Sequence, residues 1–311
     1  MDEDERATGS EDATDPTDEA VTGTSPEEAF SLVANETRFD ILQALWAAET
    51  GEGTKSLSFS ALQDRTGIRD SGQFNYHLSE LTPRFVRGTD DGYELTFAGT
   101  QIIGAAVSGV YTDAETRRIE PVPVGTCPEC GADIEAGYEA GHITIACSAC
   151  DVTVSELPAP PVLAADVDPE DLPLVFSRRL RSDISRLNSG FCWLCGGHVE
   201  TRLDRSFTDE VDADGDRLGV VYTCNACGKQ TGGVVGAAVL DHPAVVGFLH
   251  DQGADLRETY LWELDWLFEA HATVTDEAPV RLDLEVEYGG ETLRLRLDGE
   301  LSVLEAVRSD G

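Results

Sequence analysis

Asp70-Ser71-Gly72-Gln73-Phe74-Asn75-Tyr76-His77-Leu78-Ser79-Glu80-Leu81 reads as a short amphipathic helix. Asp70 supplies a cap acceptor, Gln73 follows three residues later, and Pro83 closes the run. At about 100° per residue, Phe74, Leu78 and Leu81 fall within about 60° of arc and form the core face. Gly72, Gln73, Asn75, Tyr76 and Ser79 then face outwards. His77 sits at the edge of the core face, where a packed or backbone-bonded ring is expected. The outward set is short, polar and hydrogen-bonding, whereas most helix surfaces in this chain are studded with carboxylates. Gln and Asn can both contact adenine bidentately in the major groove.

The flanking sequence decides what this helix belongs to. Upstream, Phe30, Val33, Ala34, Ile41, Leu42 and Leu45 recur at three- and four-residue steps from Ser25-Pro26 through Trp46, which predicts a helix ended by Gly51 and Gly53. Phe59, Ala61 and Leu62 mark a second, shorter helix with Ser58 or Ser60 as cap, Gln63 completing a capping box, and Gly67 as stop. Downstream, Phe85-Val86-Arg87, a turn at Asp90-Asp91-Gly92 and Tyr93-Glu94-Leu95-Thr96-Phe97 read as a hairpin, with a last helix from about Ala98 to Gly109. Helix, helix, turn, helix and a β wing within about 70 residues is the order of a winged helix-turn-helix.

In such a module Arg69, Arg84 and Arg87 bracket the third helix and enter the wing, within reach of phosphates on either side. Each arginine alone is equally well explained as a solvated or salt-bridged side chain. The candidate DNA contacts are therefore Arg69, Ser71, Gln73, Asn75, Tyr76, Ser79, Arg84 and Arg87, with double-stranded DNA as the partner.

All eight cysteines fall in four Cys-x-x-Cys pairs. Cys127 and Cys130 are followed, after sixteen residues, by Cys147 and Cys150; Cys192 and Cys195 are followed, after twenty-eight, by Cys224 and Cys227. Each quartet fits a zinc ribbon, in which two knuckles present two thiolates apiece to a tetrahedral S₄ site. Iron in a rubredoxin-like site and paired disulfides are the alternatives. Gly131, Gly196 and Gly228 directly follow the second cysteine of a pair, where a tight turn can need positive φ; Asp151 holds that place in the fourth. Four thiolates leave no open position for water, so two structural Zn²⁺ sites are expected and a catalytic one is not.

The remaining elements fill out an α+β multidomain chain. Residues 1–28 hold eleven acidic residues and one arginine with almost nothing apolar, and read as a disordered acidic tail. The winged helix-turn-helix domain takes 29–120, the first zinc ribbon 121–157 and a linker, opened by Pro158 to Pro161, 158–170. A C-terminal α+β domain, 171–311, contains the second ribbon at about 190–232. It includes helices near Leu172 to Leu187, Pro243 to His250 and Leu256 to Ala270. A terminal hairpin alternates Leu282, Leu284 and Val286 with Leu293, Leu295 and Leu297 about a Gly289-Gly290 turn. Trp262 and Trp266, among Leu261, Leu264, Leu267 and Phe268, read as core or dimer surface. Arg178, Arg179, Arg181 and Arg186 cluster on one helix, facing DNA, the acidic tail or neighbouring carboxylates.

Composition sets the environment. Over 311 residues, 59 acidic residues oppose 22 basic ones, of which only Lys55 and Lys229 are lysines, for a net charge of −37. A disordered acidic chain would lack the 41% hydrophobic content, so the acidity belongs to a folded surface that holds water and cations in concentrated salt. A halophilic archaeon is the expected source. The absence of a long apolar run or a secretory signal points to the cytoplasm and away from membranes.

Leu32-Val33-Ala34-Asn35-Glu36-Thr37-Arg38-Phe39-Asp40-Ile41-Leu42, followed by Phe59-Ser60-Ala61-Leu62, Tyr76-His77-Leu78 and Leu81, resembles the DNA-binding domain of ArsR-type regulators, especially haloarchaeal ones. The resemblance covers residues 29 to about 110. It implies a homodimer that sets two third helices in successive major grooves, with the last helix in the dimer contact and Arg38 in structural hydrogen bonding near the turn. The domain carries no cysteine, unlike metal-sensing members, so metalloid sensing is not expected there. A sequence-specific transcriptional regulator is the expected function. The alternative is a zinc-ribbon adaptor of the transcription machinery without specific DNA binding of its own. No catalytic constellation is recognisable and the six histidines are dispersed, so no enzymatic activity is expected.

Overall fold

The computed structural model describes residues 25–112, 117–127, 129–150, 152–165, 167–207, 217–268 and 271–309. The acidic tail through residue 24, and Asp151, lie outside the described residues. The chain is mixed α+β and divides into two compact units, residues 1–104 and 105–311.

The first unit begins with α1 (Pro26–Val33) and α2 (Glu36–Glu52), where the apolar spacing predicted one continuous helix. The apolar period runs through the junction, but Asn35 is extended and its Oδ1 accepts the Arg38 N–H at 3.1 Å, so a cap interrupts the run. In α3 (Phe59–Thr66) the cap is Ser58. Gln63 does not close a box with Ser60; its amide donates to the Ile68 carbonyl at 2.9 Å and meets the Ser71 hydroxyl at 3.1 Å. Asp70 caps α4 (Ser71–Leu81) by accepting the Gln73 N–H at 2.9 Å.

Phe74, Leu78 and Leu81 of α4 are buried with Ile41, Leu42 and Leu45 of α2 and Leu62 of α3. The Phe59 ring meets Phe74 edge-on, centroids 5.0 Å apart. β1 (Val86–Thr89) and β2 (Gly92–Leu95) form an antiparallel hairpin. Leu57 adds a bridge to Tyr93 on its far side through two backbone bonds of 2.8 and 2.9 Å. Gly92, at φ 136°, is required there, because a Cβ would strike the Leu57 carbonyl. α5 (Phe97–Val107) starts on Thr96, whose hydroxyl accepts the Gly99 N–H, and contributes Ile103 to the same core.

Among the described residues, the second unit holds three antiparallel sheets. The first is β3 (Arg118–Thr126), β4 (Asp133–Glu139), β5 (His142–Cys147) and β6 (Thr153–Pro158), paired in sequence order. The segment read as a linker begins inside β6 and continues as a 3₁₀ turn, Pro161–Ala164, whose Pro161 and Ala164 are buried. α6 (Leu172–Asn188) follows, then the second sheet: β7 (Val199–Phe207), β8 (Arg217–Cys224) and β9 (Gln230–Val234). α7 (Pro243–Asp251) precedes the region expected as a helix from Leu256 to Ala270.

That region is instead a 3₁₀ turn, Leu261–Glu263, and the short α8 (Asp265–Phe268), with 269 and 270 outside the described residues. Its apolar residues serve two cores, which one regular helix face cannot do. Trp262 packs with Val124, Ile134, Ile145 and Phe176, and its indole donates to the Val124 carbonyl at 3.1 Å. Leu261, Leu264, Trp266 and Leu267 join the larger core with Phe248 and Leu249. Both tryptophans are therefore core residues.

The third sheet extends the expected terminal hairpin to four strands: β10 (His271–Glu277), β11 (Val280–Tyr288), β12 (Glu291–Asp298) and β13 (Val303–Ser309). Leu282, Leu284 and Val286 stand opposite Leu297, Leu295 and Leu293, so the alternating apolar face is buried on both central strands.

Candidate metal centres

Each quartet is built from two turns of one backbone pattern. The Cys127, Cys192 and Cys224 N–H groups donate to the carbonyls of Ala132, Gly197 and Lys229, five residues on, at 2.7, 2.8 and 3.0 Å. The Gly131, Gly196 and Gly228 N–H groups return to the carbonyls of those cysteines at 2.9–3.0 Å, with φ of 73°, 75° and 73°. This left-handed turn is why glycine follows three of the four pairs. Cys147 repeats the first bond, to Val152 at 2.8 Å.

β3 runs into Cys127, and Cys147 ends β5; Cys224 ends β8, and Cys192 lies between α6 and β7. The strands thus fix the first cysteine of three knuckles, and in all four that cysteine is buried, while Cys130, Cys150, Cys195 and Cys227 are exposed. All eight are free thiols. Sulfurs approach at 3.7 Å for Cys127 and Cys150, 3.5 Å for Cys130 and Cys147, 3.9 Å for Cys192 and Cys227, and 3.5 Å for Cys195 and Cys224. Within each quartet all four sulfurs lie within 4.8 Å of one another. A tetrahedral ion with metal–sulfur bonds of about 2.3 Å separates its sulfurs by about 3.8 Å, so both quartets are positioned to hold a metal ion.

Electrostatics points the same way. The Ala149 and Cys150 N–H groups, 3.3 and 3.4 Å from the Cys147 sulfur, hold its thiol down to about 6. The Cys227 and Ala226 N–H groups do the same for Cys224, also to about 6. The Val152 N–H favours the Cys150 thiolate, yet the Cys147 sulfur beside it pushes that thiol up to about 12. Likewise the Gly197 N–H favours the Cys195 thiolate, while the Cys224 and Cys227 sulfurs push it up to about 12. One thiolate forms readily in each quartet and repels the next, a conflict that a bound cation removes.

Two features of the second quartet escaped sequence reasoning. Gly197 leaves room for the cluster, since a Cβ there would lie 2.7 Å from the Ala226 Cβ and 3.2 and 3.3 Å from the Cys224 and Cys195 sulfurs. Trp193, between Cys192 and Cys195, donates its indole N–H to the Thr231 hydroxyl at 3.2 Å, with the Lys229 ammonium 5.9 Å over its ring. Both depend on contacts across the two knuckles.

The residues expected at DNA divide into two groups. Gln73, Asn75 and Tyr76 stand exposed along α4, and Arg69 is exposed just before its cap. Ser71 is tied to Gln63, Ser79 donates to the Tyr76 carbonyl at 2.8 Å, and Arg87 pairs with Glu94 across the hairpin at 2.5 Å. Arg84 is half-buried. His77 packs against Tyr76, and its buried Nδ1 has no partner among the described residues. Arg38 reaches Glu80 at 3.9 Å.

No helix among the described residues is long and apolar enough to cross a membrane. Comparison with curated proteins finds no match. Residues 26–106 match a domain of unknown function, DUF7347, and residues 124–303 match a second, DUF7351. The second match takes in both cysteine quartets and more than half of the chain, and the protein belongs to the DUF7351 family.

Proposed function

We propose that this protein is a sequence-specific DNA-binding transcriptional regulator of the winged helix-turn-helix type. It acts in the cytoplasm of a halophilic archaeon as a homodimer and carries one structural zinc ion in each cysteine quartet. The observation that carries the reading is the exposed face of α4, where Gln73, Asn75 and Tyr76 stand clear of the core formed by Phe74, Leu78 and Leu81. Local charge supports it. Residues 55–89 hold Lys55, Arg65, Arg69, Arg84 and Arg87 against three acidic residues, a basic island in a chain of net charge −37. The helix order and the hairpin after α4 agree with the resemblance to ArsR-type regulators.

Zinc suits four thiolates in tetrahedral array, and two closed S₄ sites serve structure in preference to catalysis. Metal analysis of protein purified without added metal is expected to give two zinc ions per chain. Iron in their place, or no metal, rejects the assignment.

Chromatin immunoprecipitation with sequencing in the native host tests the main reading. Sharp enrichment at a recurring sequence is expected, with Gln73→Ala and Asn75→Ala each weakening it about tenfold or more. Binding in vitro is expected to survive molar KCl with a shallow salt slope, because an acidic protein gains little from counterion release. Enrichment no sharper than an untagged control rejects this reading and favours the adaptor. One observation favours that second reading: Phe191 and Leu194, at the first knuckle of the second quartet, are 55% and 60% exposed and present apolar surface of the kind that docks protein.

A further inference from the structure

Four arginines within nine residues of α6 are unusual in this chain, and their surroundings separate them. Arg178 donates to the Arg257 carbonyl at 2.7 Å, Arg179 pairs with Asp183 one turn on, and Arg186 is exposed. Arg181 differs. Its Nε is buried, and its guanidinium makes no hydrogen bond or ion pair with any described residue. The Nε alone is shut off from water; the side chain is half-buried, and its two Nη groups keep their donors open to the space beside them.

Arg181 lines a cavity of about 470 Å³ between α6, α7 and the segment from Ala254 to Arg257. Ser182 and His250 line it too. Its two carboxylates are already engaged. Asp255 is held by the Arg257 guanidinium and backbone N–H, an arrangement that keeps its carboxyl well below the usual range. Asp241 accepts from Ser185 at 2.9 Å and from Asn188 at 2.7 Å. Arg181, His250 and Ser182 also face the space, and their side chains make no hydrogen bond with a described residue. We propose that this cavity is a binding site for a small oxyanion, a phosphate or carboxylate group gripped by the planar fork of the Arg181 guanidinium.

The site does not depend on DNA binding, and its test uses no nucleic acid. Thermal unfolding of the full chain is followed against inorganic phosphate and, separately, succinate, with KCl adjusted to hold ionic strength constant. A saturable rise of the midpoint is expected with at least one probe, and the better probe identifies the group recognised. Arg181→Met is expected to weaken apparent affinity about tenfold or more, and Arg181→Lys, which keeps charge but loses the fork, to fall between. Arg202→Gln removes a charge from the exposed face of β7 and is expected to bind like wild type. Parallel responses of wild type and Arg181→Met to both probes would mean a general salt effect and would overturn the proposal. So would loss of the response in Arg202→Gln. If Arg181→Met fails to fold, Arg181→Lys and His250→Gln carry the test, and unchanged affinity in both rejects the site.

Discussion

A methyl group at position 197 would have nowhere to go. The Ala226 Cβ and two ligand sulfurs surround the place it would occupy, so Gly197→Ala must spread the knuckles of the second quartet. Metal affinity at that quartet is expected to fall about 10–100-fold, the usual cost of disturbing the groups that orient ligands. Competition with a chromophoric chelator measures it, and the first quartet should keep its ion. Gly196→Ala acts through the backbone alone, forcing a side chain into the left-handed region at a cost of about 1–2 kcal/mol. Its expected signature is a lower unfolding midpoint with both ions retained. The two glycines are adjacent in sequence, yet only Gly196 could be read from it. Its role follows from the turn after a Cys-x-x-Cys pair, whereas that of Gly197 arises from Ala226, which arrives from another strand end.

Elements were legible where a local signal set them and obscure where a distant partner did. The Asp70 cap and the core face of α4 are both local, and Asp70→Ala is expected to lower stability by about 1 kcal/mol without touching metal content, as chemical denaturation reads. The break between α1 and α2 was hidden because the apolar spacing continues through it; only the cap by Asn35 marks it. The region from Leu256 onward misled more fully. Trp262 and Trp266 are one helical step apart in sequence, but one faces the first cysteine sheet and the other the large core beside the terminal sheet. Periodicity reports how often a chain returns to an apolar surface, and it is silent when there are two surfaces. The cysteine quartets were the easiest element to find, since each ligand pair is fixed by four residues of sequence and each knuckle by a few more.

For the whole molecule, charge and metal are expected to govern stability together. With a net charge of −37, lowering KCl should depress the unfolding midpoint steadily and high KCl should restore it, as differential scanning calorimetry would show; a midpoint independent of salt contradicts the reading of an acidic surface adapted to brine. Stripping metal with a strong chelator is expected to abolish amide protection in β3–β6 and β7–β9 while α2, α3 and α4, which carry no ligand, keep theirs. The chain holds four tryptophans, and they are well placed to follow such events. Trp46 lies in α2, Trp262 in the core of the first cysteine sheet, Trp193 within a knuckle of the second quartet, and Trp266 beside the terminal sheet. Keeping one indole and replacing the other three with phenylalanine gives four proteins, each emitting from a single region. Intrinsic fluorescence alone would then tell the loss of one metal ion from the loss of the other, with no added dye.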